Sequence, residues 1–240
     1  MSIKPSVVEV RKLSLSLGGH LILNNVSLTV PAGLVYVIGL NGSGKTSLLH
    51  CISNTRKFQD GSIHLLGKDL KTLSPRQISH ILALVPQRPT ISFHLTTYNY
   101  VLSGRFPFIS WLGNYKKSDH AQVSQTLDKL ELLGFKDRYL HELSGGEFQQ
   151  IAIARAMVQE TPIIVLDEPT QSLDPKNRKK IYRLLNELVE KGKTIICSTH
   201  DGEPLREEKR QIIGLSNGEI AFQGAGSVSK SEIDRLVYQM

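Results

Sequence analysis

A short run of buried-type residues, Val35-Tyr36-Val37-Ile38, passes directly into Gly39-Leu40-Asn41-Gly42-Ser43-Gly44-Lys45-Thr46 and then into Ser47-Leu48-Leu49. This feature constrains the fold most. The spacing fits G-x-x-x-x-G-K-[ST], a loop whose glycines let successive backbone N–H groups point inward around phosphate oxygens. Lys45 adds a positive charge, the Thr46 hydroxyl can ligate Mg²⁺, and the following helix directs its positive end at the same anion. A glycine-rich turn that matches by accident is the competing reading. The apolar strand before the loop and the helix after it argue against accident.

A strand that feeds such a loop belongs in a parallel sheet, and three more short apolar runs supply its neighbours: Ile81 to Val85, Ile163 to Leu166 and Thr194 to Cys197. Continuous apolar strands separated by helices indicate a sheet covered on both faces. Ahead of the loop, alternation at Val8-Val10, Leu13-Leu15-Leu17 and Val26-Leu28-Val30 predicts antiparallel strands instead. Helical stripes are expected along Val123, Leu127, Leu130 and Leu133, and along Ile181, Leu184, Leu185 and Leu188. The second helix opens on Asp174-Pro175, an N-cap followed by proline at the first helical position. Ser229 and Glu232 have capping-box spacing before Ile233, Leu236 and Val237. From Leu95 to Met157 the pattern is mostly helical. The expected fold is α/β: a phosphate-loop core with a mainly parallel sheet, an antiparallel β part, and an inserted helical subdomain. The core takes residues 1–94 and 158–240 and the helical part 95–157, closely joined because no flexible linker separates them.

The 240 residues suffice for one substantial core. No apolar run approaches the roughly 18 residues that span a bilayer, and the first residues, MSIKPSVVEV, lack the order of a signal peptide. The chain is therefore expected to stay where it is made, with any membrane association supplied by a partner. Its two cysteines, Cys51 and Cys197, offer neither a disulfide framework nor a metal site and read as small core residues suited to a reducing cytosol. The net charge of +7 favours polyanions or anionic lipid. A solvated surface that also suits a nucleotide explains it better, because the charges are scattered and only Lys176 to Lys180 form a dense cluster.

Two further segments carry chemistry. In Ile163-Ile-Val-Leu-Asp167-Glu168, the apolar run places Asp167 at the C-terminal edge of a buried strand, where open α/β sheets bind ligands. Asp167 can hold a Mg²⁺ shell and Glu168 can polarise an attacking water. A pair of carboxylates can also simply cap the next helix. In Leu143-Ser144-Gly145-Gly146-Glu147, a serine, two glycines and a helix start resemble a second anion-binding nest. On spacing alone the same residues read as an N-capped helix, with Ser144 and Glu147 forming a capping box.

Taken in order, GLNGSGKT, LSGGE and IIVLDE resemble the Walker A loop, signature and Walker B strand of the ATP-binding cassette ATPases, over nearly the whole chain. The resemblance implies ATP and Mg²⁺ as cofactors. Gly39, Leu40, Asn41, Gly42, Ser43, Gly44, Lys45, Thr46 and Ser47 would cradle the nucleotide, with Thr46, Gln87 and Asp167 toward the metal. Gln87, in LVPQ, is similar to the Q-loop glutamine, Ser172-Leu173-Asp174 to the D-loop, and His200, in CSTHD, to the switch histidine at the γ-phosphate. Lys45, Gln87, Glu168 and His200 would carry catalysis. In this family two subunits pack head to tail, so that Ser144, Gly145 and Gly146 of one copy close over the ATP of the other. Asp174 would lie at the same junction.

Three positions depart from the family pattern. Leu17 stands before Gly18-Gly19 where an aromatic usually stacks on adenine, a loss of about 1 kcal/mol judged from aromatic pair energies. Phe148 and Gln150 occupy positions often held by basic residues, and Pro204 interrupts the helix expected after His200.

The segment from Leu73 to Asp119 is similar to the ATPases of importers for iron-siderophores, haem and cobalamin, with Gly104-Arg105-Phe106-Pro107-Phe108 and Trp111 as its mark. Its aromatics read either as a groove for a coupling helix of a membrane subunit or as packing within the helical part. The implied partners are a second copy of the chain, multi-span permease subunits and an extracytoplasmic binding protein, with no specific nucleic acid. The implied place is the cytoplasmic side of the cell membrane, as a peripheral subunit. With no fused membrane segment and no regulatory domain after Met240, another cargo or export remains open. So does a soluble cassette of the iron–sulfur assembly type. The long heptads of DNA-repair cassettes and the paired cassettes of translation factors are not present.

Overall fold

The structure, a computed structural model, describes residues 6–87, 94–110, 113–171, 173–200 and 211–225. The capping box at Ser229 and Glu232, the interruption at Pro204, Trp111 and Ser172 lie outside the described residues. In chain order the elements are β1 (Ser6–Leu17), β2 (His20–Pro31), β3 (Leu34–Gly39), α1 (Lys45–Ile52), β4 (Asp60–Leu65) and β5 (Lys68–Asp69). Next come α2 (Pro75–Ile81), β6 (Leu82–Val85), α3 (Thr97–Leu102), α4 (Lys117–Lys129) and α5 (Gly145–Val158). The last are β7 (Ile163–Leu166), α6 (Pro175–Glu190), β8 (Thr194–Ser198), β9 (Gln211–Ser216) and β10 (Glu219–Ala225).

The strands form two sheets, a four-stranded one in the order β2-β1-β4-β5 and a six-stranded one in the order β10-β9-β3-β8-β7-β6. The first is antiparallel. The second is parallel from β9 through β6, with β10 antiparallel at its edge. This is the α/β arrangement expected from the sequence. The parity change from Val8-Val10 to Leu13-Leu15 has a local cause. The pairing with β2 shifts register between Val10 and Leu13, and Lys12 sits at φ +48°. The extra residue returns both apolar sets to the same face.

That face meets α1 and one side of the parallel sheet in a core that includes Leu15, Leu23, Leu48, Cys51, Ile63 and Val165. On the other side of the sheet Tyr36, Leu166, Leu185 and Cys197 pack with α5 and α6. Both cysteines are buried, as expected of small core residues. A third cluster, built on Val101, Val123, Leu127, Leu140 and Ile151, belongs to the helical part. Helix α5 serves two clusters, with Ala152, Ile153 and Ala156 against the sheet and Ile151, Ala154 and Val158 against the helices. The expected boundary at 157/158 therefore falls inside a helix that fastens the helical part to the core.

Two expected elements differ. Ile81 ends α2 rather than starting β6. Ser74 and Gln77 form a capping box and Pro75 opens the helix, so the strand begins only at Leu82. The stripe through Leu130 and Leu133 is broken, because α4 ends at Lys129 and Glu131 takes φ +60°. That turn buries Leu132 and leaves Leu133 39% exposed.

Candidate functional site

All six residues of β3 are buried, so the loop after it is delivered to the C-terminal edge of the sheet from a rigid base. Gly39 turns at φ +148°, and a Cβ there would lie 2.3 Å from the Leu215 carbonyl oxygen and 2.6 Å from Ser43 Oγ. Gly44, at φ +104°, is pressed against Leu23 and the Ile22 carbonyl. Only glycine permits both the dihedral and the approach. Lys45 opens α1 and turns back inside the loop, donating to the carbonyls of Gly39 at 2.9 Å and Leu40 at 3.0 Å. Its Nζ is 4.0 Å from Glu168 Oε1. Burial pulls the Lys45 ammonium below its ordinary value, opposed by the charges of Glu168 and Asp167. A cavity of about 330 Å³ opens here, walled by Ile22, Asn41, Gly42, Gly44, Lys45, Thr46, Ser47, Gln87 and Glu168.

The fully buried strand β7 carries Asp167 and Glu168 to the same edge. The Asp167 N–H donates to the Val85 carbonyl at 2.9 Å, which ties the start of the turn to β6. Glu168 adopts φ +48°, an uncommon conformation for a side chain of its size. Three groups converge on its carboxylate. Gln87 Nε2 donates to Oε2 at 2.8 Å and to Gln171 Oε1 at 2.9 Å. His200 Nε2 stands 2.5 Å from Oε1, and Lys45 approaches the same oxygen. Lys45, Gln87, Glu168 and His200, separate in sequence, are thus one constellation.

Asp167 is fully buried. Ser198 Oγ donates to Oδ1 at 2.7 Å and also accepts the Glu168 N–H at 2.8 Å. Asp167 Oδ2 is buried with no hydrogen-bond partner. A buried carboxylate oxygen without a donor calls for a cation or water. With the Thr46 hydroxyl in the adjoining cavity and the Gln87 amide on its wall, the all-oxygen donor set fits Mg²⁺.

Ser144, Gly145 and Gly146 are not among the residues walling this cavity. Ser144 caps α5, accepting the Glu147 N–H at 3.3 Å, while the Glu147 carboxylate accepts the Ser144 N–H at 2.7 Å and hydroxyl at 2.8 Å. Those bonds, the backbone one foremost, hold the Glu147 carboxyl below its ordinary value. Neither glycine has positive φ. Of the two readings of this segment, the capping box is formed, and the helix N-terminus it caps still directs free N–H groups and its dipole outward. Asp174 caps α6, its Oδ1 accepting from the amides of Lys176 at 2.9 Å and Asn177 at 3.0 Å.

Leu17 sits at the end of β1, half-buried against the first core cluster, and does not wall the cavity. The residue that β2 contributes to that wall is Ile22, which the sequence reading passed over. Ser198 and Gln171 were also passed over. Ser198 had one signal, a lone polar residue closing the apolar run Thr194 to Cys197 beside the carboxylate strand. Phe148, at one departing position, is buried against Tyr100 with ring centroids 5.6 Å apart. It belongs to the helical core.

A second concavity, of about 800 Å³, lies at the helical part between Pro75, Arg76 and Ser79 of α2, the Ser103–Phe108 turn, and Arg155 and Gln159. Phe106 on its rim is 71% exposed. Phe108 is less exposed, at 38%, with the Arg105 guanidinium 4.0 Å from its ring and His80 edge-on to it. These contacts of Phe108 lie within the helical part and with α2, while Phe106 stays open to the concavity.

Phosphate loop, buried strand-end carboxylates and a histidine on one sheet edge define a phosphate-loop nucleotide hydrolase. The family model described as ABC transporter matches residues 23–171. A petrobactin import ATP-binding protein, YclP of Bacillus subtilis, is 34% identical over 220 residues, covering 91% of this chain and 86% of the relative. A phosphonates import ATP-binding protein, PhnC 2 of a Synechococcus species, is 35% identical, covering 86% of this chain and 80% of the relative. The dimeric ATP-binding cassette MJ0796, in a post-hydrolysis state with ADP and Pi, superposes with a TM-score of 0.81 at 29% identity, covering 91% of this chain and 98% of that one. The chain belongs to the ABC transporter family and is an ATPase of that family. The resemblance read from the three motifs is borne out at that level. Among the described residues no helix is long and apolar enough to cross a membrane.

Proposed function

We propose that the chain works as a head-to-tail pair that binds two Mg·ATP and drives permease subunits from the cytoplasmic face of a membrane. One observation carries this reading. Lys45, Gln87, Asp167, Glu168 and His200 converge at one sheet edge, while the capped helix start at Ser144 lies outside that cavity. A second copy supplies what one chain keeps apart. Gly39 to Ser47 present backbone N–H groups to the phosphates and Lys45 neutralises the β/γ oxygens. Thr46, Asp167 and Gln87 would hold Mg²⁺, which when bound draws charge from the phosphate oxygens. Glu168 polarises the attacking water and His200 reaches the γ-phosphate. Ser144, Gly145 and Gly146 serve the nucleotide of the partner copy, and Asp174 lies at that junction.

Import of an iron-siderophore or similar cargo is the reading supported by relatives such as YclP, a petrobactin import ATP-binding protein. PhnC 2, of comparable identity, is a phosphonates import protein, so cargo follows from the permease and its binding protein rather than from the cassette. The concavity beside Phe106 is the place for the permease's coupling helix.

Glu168→Gln tests the assignment. It should keep ATP affinity, reduce turnover to background, and accumulate a dimer in size-exclusion chromatography with ATP. Turnover near the wild-type rate refutes Glu168 as the base. Co-purification from solubilised membranes should bring down a multi-span protein, and recovery of only soluble scaffold proteins counts against transport.

A further inference from the structure

Ser198 closes β8 with its side chain fully buried, and its hydroxyl has one proton to give and lone pairs to accept with. The proton goes to Asp167 Oδ1 at 2.7 Å, and a lone pair takes the Glu168 N–H at 2.8 Å. One side chain from the neighbouring strand thus touches both members of the carboxylate pair. The effect on each is different. A carboxylate's terminal torsion is broad when nothing restrains it. With Oδ1 engaged by Ser198 and the Asp167 amide tied to Val85, Oδ2 is left as the oxygen without a donor. Glu168, meanwhile, holds a left-handed backbone at φ +48°, and its amide is fixed in that turn by the same hydroxyl. The parallel pairing of Leu166 with Cys197 sets the register that brings Ser198 opposite the pair.

The geometry assigns Ser198 as a positioning residue that orients the cation-facing oxygen of Asp167 and the backbone of Glu168 together, so that the Mg²⁺ dependence of the nucleotide site runs through it. This rests on the reading of Asp167 as a Mg²⁺ holder. Its role is distinct from those of His200 and Gln87, which contact the Glu168 side chain rather than its backbone or Asp167. Residues that orient a metal ligand typically account for 10- to 100-fold in metal affinity or activity.

The test uses the full chain as Ser198→Ala, Ser198→Thr and Asp167→Asn. A fluorescent ATP analogue is titrated in excess EDTA and in Mg²⁺, the half-activating Mg²⁺ concentration for ATP hydrolysis is measured, and thermal unfolding monitors the fold. Ser198→Ala should bind the analogue within about twofold of wild type in EDTA, while its half-activating Mg²⁺ concentration rises about 10-fold. Ser198→Thr, which retains the hydroxyl, should return most of that shift. An Mg²⁺ response of Ser198→Ala within twofold of wild type overturns the inference, as does an equal loss of affinity with and without Mg²⁺. Asp167→Asn separates the two levels. If it leaves the Mg²⁺ response unchanged, the reading of Asp167 fails. If it removes that response and Ser198→Ala does not alter it, only the role of Ser198 fails.

Discussion

Replacing Arg105 by methionine would remove a buried cation while keeping a similar aliphatic stem. The guanidinium donates from Nε to Asp119 Oδ1 at 2.8 Å, and from Nη1 to the Val158 carbonyl at 2.7 Å and Glu160 Oε2 at 2.8 Å. The Arg105 and Asp119 side chains are 10% and 7% exposed, so breaking this pair leaves a carboxylate in the interior. Removing one partner of a buried pair costs about 3–5 kcal/mol. Asp119 keeps one bond, from the Lys116 N–H at 2.8 Å, which favours the lower end, about 3 kcal/mol. The contact with Glu160 adds little, because that side chain is 54% exposed and well screened. Urea unfolding at pH 7 should therefore show a lower midpoint at unchanged slope.

The pH dependence has a definite sign. Burial alone raises the Asp119 carboxyl, but the Lys116 amide and the Arg105 hydrogen bond and charge outweigh it and hold the folded value below 3.8. A depressed acid stabilises the fold above its unfolded value and loses that stabilisation as pH falls through the folded one. With Arg105 gone the carboxylate protonates more readily, so the penalty of the variant should shrink between about pH 5 and pH 3. Arg105→Met with Asp119→Leu should recover much of the loss, since an apolar pair leaves no stranded charge. A penalty below about 1 kcal/mol at pH 7, or one that does not change with pH, would refute the reasoning.

Leu17→Tyr tightens adenine-nucleotide binding if position 17 meets the base; unchanged or weaker affinity in a fluorescent-nucleotide titration moves the adenine contact to Ile22, which walls the cavity. Gly39→Ala should lose nucleotide binding and lower the melting temperature, because its Cβ would sit 2.3 Å from the Leu215 carbonyl oxygen at φ +148°. Full retention of both would mean that the loop relaxes freely. Burial pushes the Cys51 thiol up to about 11, and Cys197 is buried too. A thiol reagent at pH 8 should leave both unmodified in the folded chain and label both in urea; rapid labelling of the native chain contradicts that burial.

What could be read from sequence was what is contiguous. Gly39 to Thr46 is a loop whose geometry is set by its own glycines, so the motif carries its conformation with it. The apolar runs before Asp167 and His200 likewise announce strands without help from elsewhere. The end of α4 was not visible, because Leu130, Leu132 and Leu133 are all apolar and only the left-handed turn at Glu131 decides which is buried. Ser198 and Ile22 were passed over for another reason. Their relevance depends on strand order: β8 lies beside β7, and β2 passes over the phosphate loop.

The same distinction bears on the proposed pairing of two copies. The segment at Ser144 reads in sequence either as a second phosphate cradle or as a capped helix start, and the cap is formed. Such a start has N–H groups and a dipole to offer but no lysine, and the Glu147 carboxylate already occupies the Ser144 N–H and hydroxyl. By itself it is a weak anion site. Against a phosphate already held by Lys45 and the loop of another copy, it needs only to add its dipole to a site whose ordering cost has been met. Helix α5 also packs on both the sheet core and the helical cluster. The Arg105 bond to the Val158 carbonyl joins the turn that carries Phe106 to the C-terminal end of that helix. In the proposed pair, the incompleteness of each half-site would let nucleotide occupancy and the position of the helical part report on one another.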